Sequence, residues 1–386
     1  MMNWLRKIFK RKNKVIDFPK DTSWMLNQDL SINVKNIKSC MAFQQLESTP
    51  HSKRWHKEGN PLEHSLLVSN EMFKIINNKL CNMSLRDKKI LMIASICHDL
   101  GKATTTYFDE KENDCKCRNH GAVGERITRN LIFNEPDHWM REEICWLVRW
   151  HMQFHHFIDL PYDKRFSTMT SLSQGNSSIE KLLWLNMADT YGSISKENTK
   201  ESAENKFNII KDMADRLKCY TRPYHTSKVN KDTYNMYVMI GLPGSGKDTY
   251  IKKFLQNTQC ICRDDIREEI TYGYVEGRKL QLDNSKESIV TDIVNQRIEK
   301  CCREKKSFII NQTNVKKKYR TQLKEMALKF GTPNIIYIYV EPPSIEDCKD
   351  RRGHGKWDSI IDRMWGEFEF PDRYECDELI FYKQKF

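Results

Sequence analysis

Two sets of residues in this chain could do chemistry. One is a spread of imidazoles and carboxylates: His64, the adjacent pair His98-Asp99, His120, His151 and Asp189. Imidazole suits first-row transition metals, and a carboxylate can bridge two ions. Ions held this way activate water near neutral pH and offset the charge that builds on a phosphate in its transition state. Lys102, three residues after Asp99, would hold a phosphate oxygen by charge attraction alone. A single His-Asp pair at a helix end is ordinarily just a polar edge; the company it keeps here changes that reading.

The other set is the segment GLPGSGKDT, Gly241–Thr249. Gly241, Gly246 and Lys247 fit G-x-x-x-x-G-K, with Gly244 and Ser245 inside the loop, after an apolar β run and before a helical pattern. Glycines let backbone N–H groups close around phosphates, the following helix adds its positive end, and Lys247 reaches the β and γ phosphates. One residue departs from the pattern: Asp248 stands where a Ser or Thr hydroxyl normally holds magnesium. Either its carboxylate or the Thr249 hydroxyl would take that role. Further on, Arg263-Asp264-Asp265-Ile266-Arg267 follows a second β run. A carboxylate there would accept the proton of an attacking hydroxyl, and an arginine one turn later would clamp an acceptor phosphate. The plainer reading is a helix start decorated with Asp, followed by a solvated Arg.

The elements that must position these groups divide in two. From about Leu62 to Tyr191 apolar residues recur at helical spacing, as in Ile90, Leu91, Ile93, Ala94 and Ile96. Helices are expected over 89–96, 179–189 and 203–217, with a Ser/Thr/Gly-rich loop over 167–178 and almost no strand-like alternation. Arg126 and Arg129 read as an exposed helix face. Pro223 and the polar stretch 225–233 form the best boundary. Beyond it, β runs at 237–240, 259–262, 308–310, 335–340 and 379–382 alternate with helical segments, which predicts a parallel sheet covered on both faces. The expected organisation is therefore multidomain. It comprises an N-terminal extension (1–45), an all-α domain (46–222), a linker (223–233) and an α/β P-loop domain (234–386).

Composition agrees with this division. The chain has 386 residues, 30% charged and 39% hydrophobic, with a formal net charge of +12. That is too long for one ordinary core, and the basic balance favours polyanionic partners, nucleic acid above all. No apolar run approaches the ~20 residues needed to span a bilayer. The basic start, 1–14, reads as a terminal helix packing on the domain rather than a membrane-surface helix. The 13 cysteines are irregularly spaced; Cys115-Lys-Cys117 and Cys260-Ile-Cys262 lack zinc spacing and read as structural or incidental. A reduced, cytoplasmic setting is expected.

At its first chemical set the chain resembles the HD phosphohydrolase superfamily, over roughly 46–192. The segment from Trp55-His56-Lys57-Glu58 to Glu63-His64-Ser65 resembles the HD domain attached to tRNA nucleotidyltransferases. The resemblance implies metal ligation by His64, His98, Asp99 and Asp189, with His120 and His151 at positions that bind additional metal in multinuclear members. His56 would contact substrate or merely cap a turn, and His155-His156 read as structural.

The second set resembles the polynucleotide 5′-kinase family, over about 234–386. That likeness implies Asp264 as general base and Arg267 as acceptor clamp. It also implies acceptor contacts from Thr313 and Asn314, in a segment where Gln312 replaces a common acid, and lid arginines Arg351 and Arg352 on the triphosphate.

An HD domain followed by such a kinase is similar to the bacterial HD-Pnk end-healing enzymes. The resemblance implies hydrolysis of 3′-phosphate or 2′,3′-cyclic phosphate ends and transfer of the γ-phosphate of ATP or another NTP to a 5′-OH. It implies Mg²⁺ or Mn²⁺ at the kinase site, and Mn, Co, Ni or Fe at the HD site. Expected partners are nucleic acid, RNA ends ahead of DNA ends, and a separate ligase, with no membrane. Trp55, Trp357 and Trp365 would stack on bases or pack in the core. The competing readings are an enzyme pair acting on mononucleotides, a tRNA-processing protein with one active domain, and a non-enzymatic RNA-binding module.

Overall fold

The computed structural model describes residues 18–52, 54, 56–78, 82–194, 199–220, 228–270 and 287–383. The basic start, 1–14, and Trp55 lie outside them. The chain divides into two compact units, Met1–Pro223 and Tyr224–Phe386.

The first unit is helical. It contains α1 (Val34–Ser39), α2 (Met41–Glu47), α3 (Pro61–Ile76), α4 (Leu85–Cys97), α5 (Lys102–Thr105), α6 (His120–Leu131), α7 (His138–Trp150), α8 (Tyr162–Leu172), α9 (Ile179–Gly192) and α10 (Lys200–Arg216). Local sequence starts the helices that matter most. Asn60 accepts hydrogen bonds from the N–H groups of Leu62 and Glu63, with Pro61 in the first turn of α3. Ser84 caps α4 through Asp87, and Ser178 caps α9 through Lys181. From Ile90 to Cys97 every residue of α4 is buried, polar Ser95 included. A helix covered on all sides delivers whatever follows it, here His98-Asp99, into the centre of the unit.

The expected helical unit is interrupted once: Thr106–Asp109 (β1) and Asp114–Cys117 (β2) form an antiparallel hairpin between α5 and α6. Two expectations change. Residues 167–172 are helix, because Met169 and Leu172 are both buried and their packing outweighs the low helix propensity of the Ser and Thr beside them. Arg129 is buried rather than exposed, held by Glu125 and Glu142 at 2.9 and 2.7 Å. In addition, Trp24, Met25, Ile37, Phe43 and Leu46 sit in the same core as the later helices, so residues from 24 onward are built into this unit.

The second unit is a five-stranded parallel sheet of β3 (Asn235–Ile240), β4 (Gln259–Cys262), β5 (Phe308–Asn311), β6 (Asn334–Glu341) and β7 (Glu378–Lys383). The strand order is β4-β5-β3-β6-β7. Its helices are α11 (Lys247–Phe254), α12 (Arg263–Ile270), α13 (Glu287–Arg303), α14 (Lys317–Phe330), α15 (Ile345–Arg352) and α16 (Lys356–Gly366). All eight residues of β6 are buried, as expected of a parallel strand covered on both faces. The chain leaves β3 towards one edge and returns from β5 to the other side. That makes the carboxyl end of β3 the switch point where open α/β sheets bind ligands. Among the described residues, no helix is long and apolar enough to cross a membrane.

Candidate functional site

In the helical unit, four elements converge on Asp99. His64 lies in α3, His98 and Asp99 directly follow α4, His120 opens α6, and Asp189 lies in α9. His151 follows α7 directly. Gly101 is what lets α6 come close: a Cβ there would stand 1.9 Å from the carbonyl oxygen of His120. All six side chains are buried.

Hydrogen bonds fix the tautomers. His98 donates from Nδ1 to the Ser95 carbonyl at 2.8 Å, and His151 from Nδ1 to the Val148 carbonyl at 2.7 Å. A carbonyl can only accept, so each Nδ1 carries a proton, and in the neutral ring Nε2 is left with the lone pair. His64 Nδ1 faces Glu58 Oε1 at 2.8 Å, and His120 Nδ1 faces the Cys117 thiol at 3.3 Å. The Nε2 atoms then meet one another and the carboxylates. His64 Nε2 lies 3.3 Å from His98 Nε2 and 2.9 Å from Asp189 Oδ1, and His120 Nε2 lies 3.0 Å from His151 Nε2. Asp99 is shared: Oδ2 is 3.4 Å from His98 Nε2, while Oδ1 is 3.5 and 3.8 Å from His120 and His151.

Such groups could hold divalent ions: ligand atoms of His64, His98 and Asp99 lie within 4.8 Å of one another, as do those of Asp99, His120 and His151, and Asp99 belongs to both sets. Without a metal the same charges act on protons. Burial opposes charge on His64, yet hydrogen bonds to Asp189 and Glu58 prevail and push its pKa up to about 9. At His120 burial wins and the pKa falls to about 4.

A cavity of ≈ 530 Å³ opens on this cluster, lined among others by His51, His56, Lys102, Tyr107, Lys116, Cys117, Arg118 and His155. Lys102 pairs with Asp99 Oδ2 at 2.7 Å and touches His51 Nε2 at 3.0 Å. Sequence reasoning missed several of these groups. His155 had read as structural, but its Nε2 lies 2.9 Å from Asp189 Oδ2, on the carboxylate oxygen that His64 does not use. Glu58 meets both His64 and His56 with a single oxygen. His51 stacks on His56 with ring centroids 3.7 Å apart. Nothing in local spacing marks His51. Glu58 had a signal, since it stands in the quoted segment ahead of His64. Cys117 is not incidental, because it lines the cavity and touches His120.

In the sheet unit, Gly244 and Gly246 have φ of +80° and +99°, the left-handed conformations that the loop between β3 and α11 requires. Lys247 folds back onto the loop, its Nζ donating to the carbonyls of Gly241 and Leu242 at 3.0 and 2.9 Å. Burial lowers its pKa to about 8, opposed by Asp248 and helped by Arg352. Asp248 accepts from Asn311 Nδ2 at 2.8 Å, and Thr249 is exposed beside it. The Ser245 side chain is fully buried, and among the described residues its hydroxyl finds no hydrogen-bond partner. Arg351 reaches the Gly244 carbonyl at 3.1 Å, whereas the Arg352 guanidinium lies over the Trp357 ring at 5.0 Å.

Asp264, in the first turn of α12, is exposed and pairs with Arg267 at 2.5 Å. Arg267 and Arg263 both also hold Glu287, at 2.8 Å each, a residue with no sequence signal. The expectation for Asn314 changes. Its side chain is buried and donates to the Met239 carbonyl at 2.8 Å, so it fastens the loop after β5 to β3 instead of facing an acceptor. Thr313 remains half-buried beside the loop, its carbonyl accepting from Gly241 N–H at 3.0 Å. Trp365 and Trp357 both pack against the core, and Trp365 lies beside Phe368.

Comparison with known proteins agrees with this division. Residues 62–217 match the family model described as an HD domain, and residues 236–354 match one described as an AAA domain. The chain therefore carries an HD domain followed by a P-loop kinase domain. No curated protein matches it. Among solved structures it is similar to chains of a Pnkp1/Rnl/Hen1 complex (19% identity, TM-score 0.27, 35% of this chain and 42% of that one). It is also similar to the Pnkp1/Rnl/Hen1 RNA repair complex (17%, 0.29, 38% and 50%) and to a sugar kinase from Janibacter sp. (20%, 0.29, 39% and 85%). The chain thus spans half or less of the matched chains in the two repair complexes.

Proposed function

We propose that this protein heals nucleic-acid ends in the manner of an HD-Pnk enzyme. Its HD half would remove a 3′-phosphate or open a 2′,3′-cyclic phosphate, and its kinase half would phosphorylate a 5′-hydroxyl. The observation that carries this reading is the pairing, in one chain, of an Asp99-bridged cluster under an open cavity with a P-loop whose neighbouring carboxylate and arginine suit an acceptor. A broken strand carries both substrates, one on each side of the break.

In the HD half, His64, His98, Asp99, Asp189, His120 and His151 would hold a divalent pair, which would supply activated water and offset phosphate charge. Lys102 holds a non-bridging phosphate oxygen, and His51, whose ring nitrogen it contacts, fixes its ammonium group. Glu58 and the Ser95 and Val148 carbonyls keep the ligand imidazoles in the tautomer that leaves Nε2 free. In the kinase half, the loop N–H groups and Lys247 hold the triphosphate. Asp248, hydrogen-bonded by Asn311, would hold magnesium in place of a hydroxyl. Arg351 closes over the loop. Asp264 accepts the proton of the 5′-hydroxyl, and Arg267 exchanges Asp264 for the acceptor phosphate. RNA ends are the preferred substrate, and a separate ligase would seal the products.

The test is an oligonucleotide bearing 5′-OH and 3′-phosphate ends, incubated with ATP and a panel of divalent ions and read by mass. The expected result is loss of the 3′-phosphate and gain of a 5′-phosphate. Turnover confined to mononucleotides would replace this reading with nucleotide metabolism.

A further inference from the structure

The hairpin that interrupts the helical unit is unused by the chemistry above, yet its placement is specific. It leaves α5 three residues after Lys102 and returns to α6 at His120, so both ends are anchored by residues of the site. The Ser52 hydroxyl donates to Asp114, tying the hairpin to the segment that carries His51. The result is a fixed wall of the cavity rather than a loose excursion.

The chemistry of that wall is aromatic and cationic. Tyr107 lines the cavity and remains 37% exposed. The Arg118 guanidinium lies 5.7 Å from its ring centroid and lines the same cavity. Lys116, directly opposite Tyr107 in the register, is already neutralised by Asp109 at 2.9 Å and Glu112 at 2.5 Å. Arg118 therefore supplies the wall's cationic character towards a ligand, and Tyr107 the flat apolar face. Alternation along β1 turns Phe108 the other way; it is 57% exposed and does not line the cavity.

A ring under a guanidinium, beside a phosphate-handling cluster, suits a nucleobase whose own backbone carries the anion. Resting on the end-hydrolysis reading, the geometry points to Tyr107 and Arg118 as the platform on which the base of the terminal nucleotide stacks. The hairpin is thus the element that makes the HD half select nucleic-acid ends over small phosphate esters. Base stacking on an aromatic is sequence-tolerant, so the platform grips any end without reading its sequence.

Two measurements on the full chain test this. The first compares kcat/KM on a 3′-phosphorylated single-stranded oligonucleotide and on p-nitrophenyl phosphate. Tyr107→Ala should lose about tenfold on the oligonucleotide and nothing on the small ester. Tyr107→Trp should retain activity, and Phe108→Ala should leave both substrates unchanged. The second is photo-crosslinking from an iodouridine placed at the 3′-terminal nucleotide, mapped by mass, with the adduct expected on the peptide 106–118. Equal loss on both substrates, an unchanged Tyr107→Ala enzyme, or an adduct elsewhere overturns the proposal. An adduct on the hairpin without hydrolysis by any variant overturns the end-hydrolysis reading and leaves the platform standing.

Discussion

Glu58 holds the Nδ1 atoms of His64 and His56 with one carboxylate oxygen. Its other oxygen accepts from the Ile194 N–H at 2.9 Å. A carboxylate fixed this way raises the basicity of its imidazole ligand and sets the ring's orientation. Glu58→Gln should weaken metal binding by about 10–100-fold while leaving ATP turnover untouched, as read by metal titration of the apo chain. Asp99→Asn should cost both ions, since both carboxylate oxygens are used, whereas His120→Ala should cost one; metal content per chain distinguishes them. Lys247 makes a further prediction at this scale. Only its charged form holds phosphate, and its pKa in the free protein lies near 8. Affinity for ATP should be flat below that pH and fall as pH rises through it, approaching tenfold per unit, because binding must then take up a proton. Lys247→Arg should flatten the profile in calorimetric titrations. Much of this scale was legible beforehand: metal-type residues at helix ends and a glycine loop after a strand announce themselves by residue type. What stayed hidden were supports such as Glu58, Asn311 and Glu287, whose roles exist only once distant segments meet. Asn314 misled for the opposite reason, since an amide that looks ready for a ligand was spent on the Met239 carbonyl.

Among the elements, α14 decides whether the P-loop keeps its shape. Arg320 is fully buried in it and forms a two-point pair with Glu375, at 2.8 and 3.0 Å. It also donates to the carbonyls of Asn314 and Glu369 at 3.0 Å each. The first of those carbonyls adjoins Thr313, whose own carbonyl holds Gly241. Arg320→Ala strands the Glu375 charge in the interior and should destabilise the kinase unit by about 3–5 kcal/mol. Pairing it with Glu375→Leu should recover a large part of that loss. Chemical denaturation followed by kinase activity and by phosphohydrolase activity would show the first midpoint move and the second stay. Strand–helix alternation made the parallel sheet readable, because a parallel strand buried on both faces is a plain apolar run. The β1–β2 hairpin had no such signal. Its strands are four residues long, and the turn between them is charged. Its side chains face a cavity or solvent rather than a core, so no alternation of apolar and polar residues records it.

For the whole molecule, the decisive question is whether the polyanion or the single nucleotide is the substrate. A net charge of +12 is a property of the chain rather than of either site, and it favours partners with many phosphates. If strands are the substrate, each basic contact along the backbone releases counterions. Then log kcat/KM on an oligonucleotide should fall linearly with log salt, by about 0.7 for each phosphate engaged. A mononucleoside acceptor for the kinase half, or a nucleoside 3′-monophosphate for the HD half, engages too few phosphates to show that slope. Paired variants separate the halves in the same experiment. His98→Ala should abolish 3′-end hydrolysis and leave the kinase slope intact; Asp264→Ala should do the reverse. A mononucleotide enzyme would instead show equal rates on short and long substrates and shallow slopes for both activities. A loss of both activities from either single substitution, in a chain that still unfolds at its normal midpoint, would mean that the two sites do not work independently on the two ends of a break.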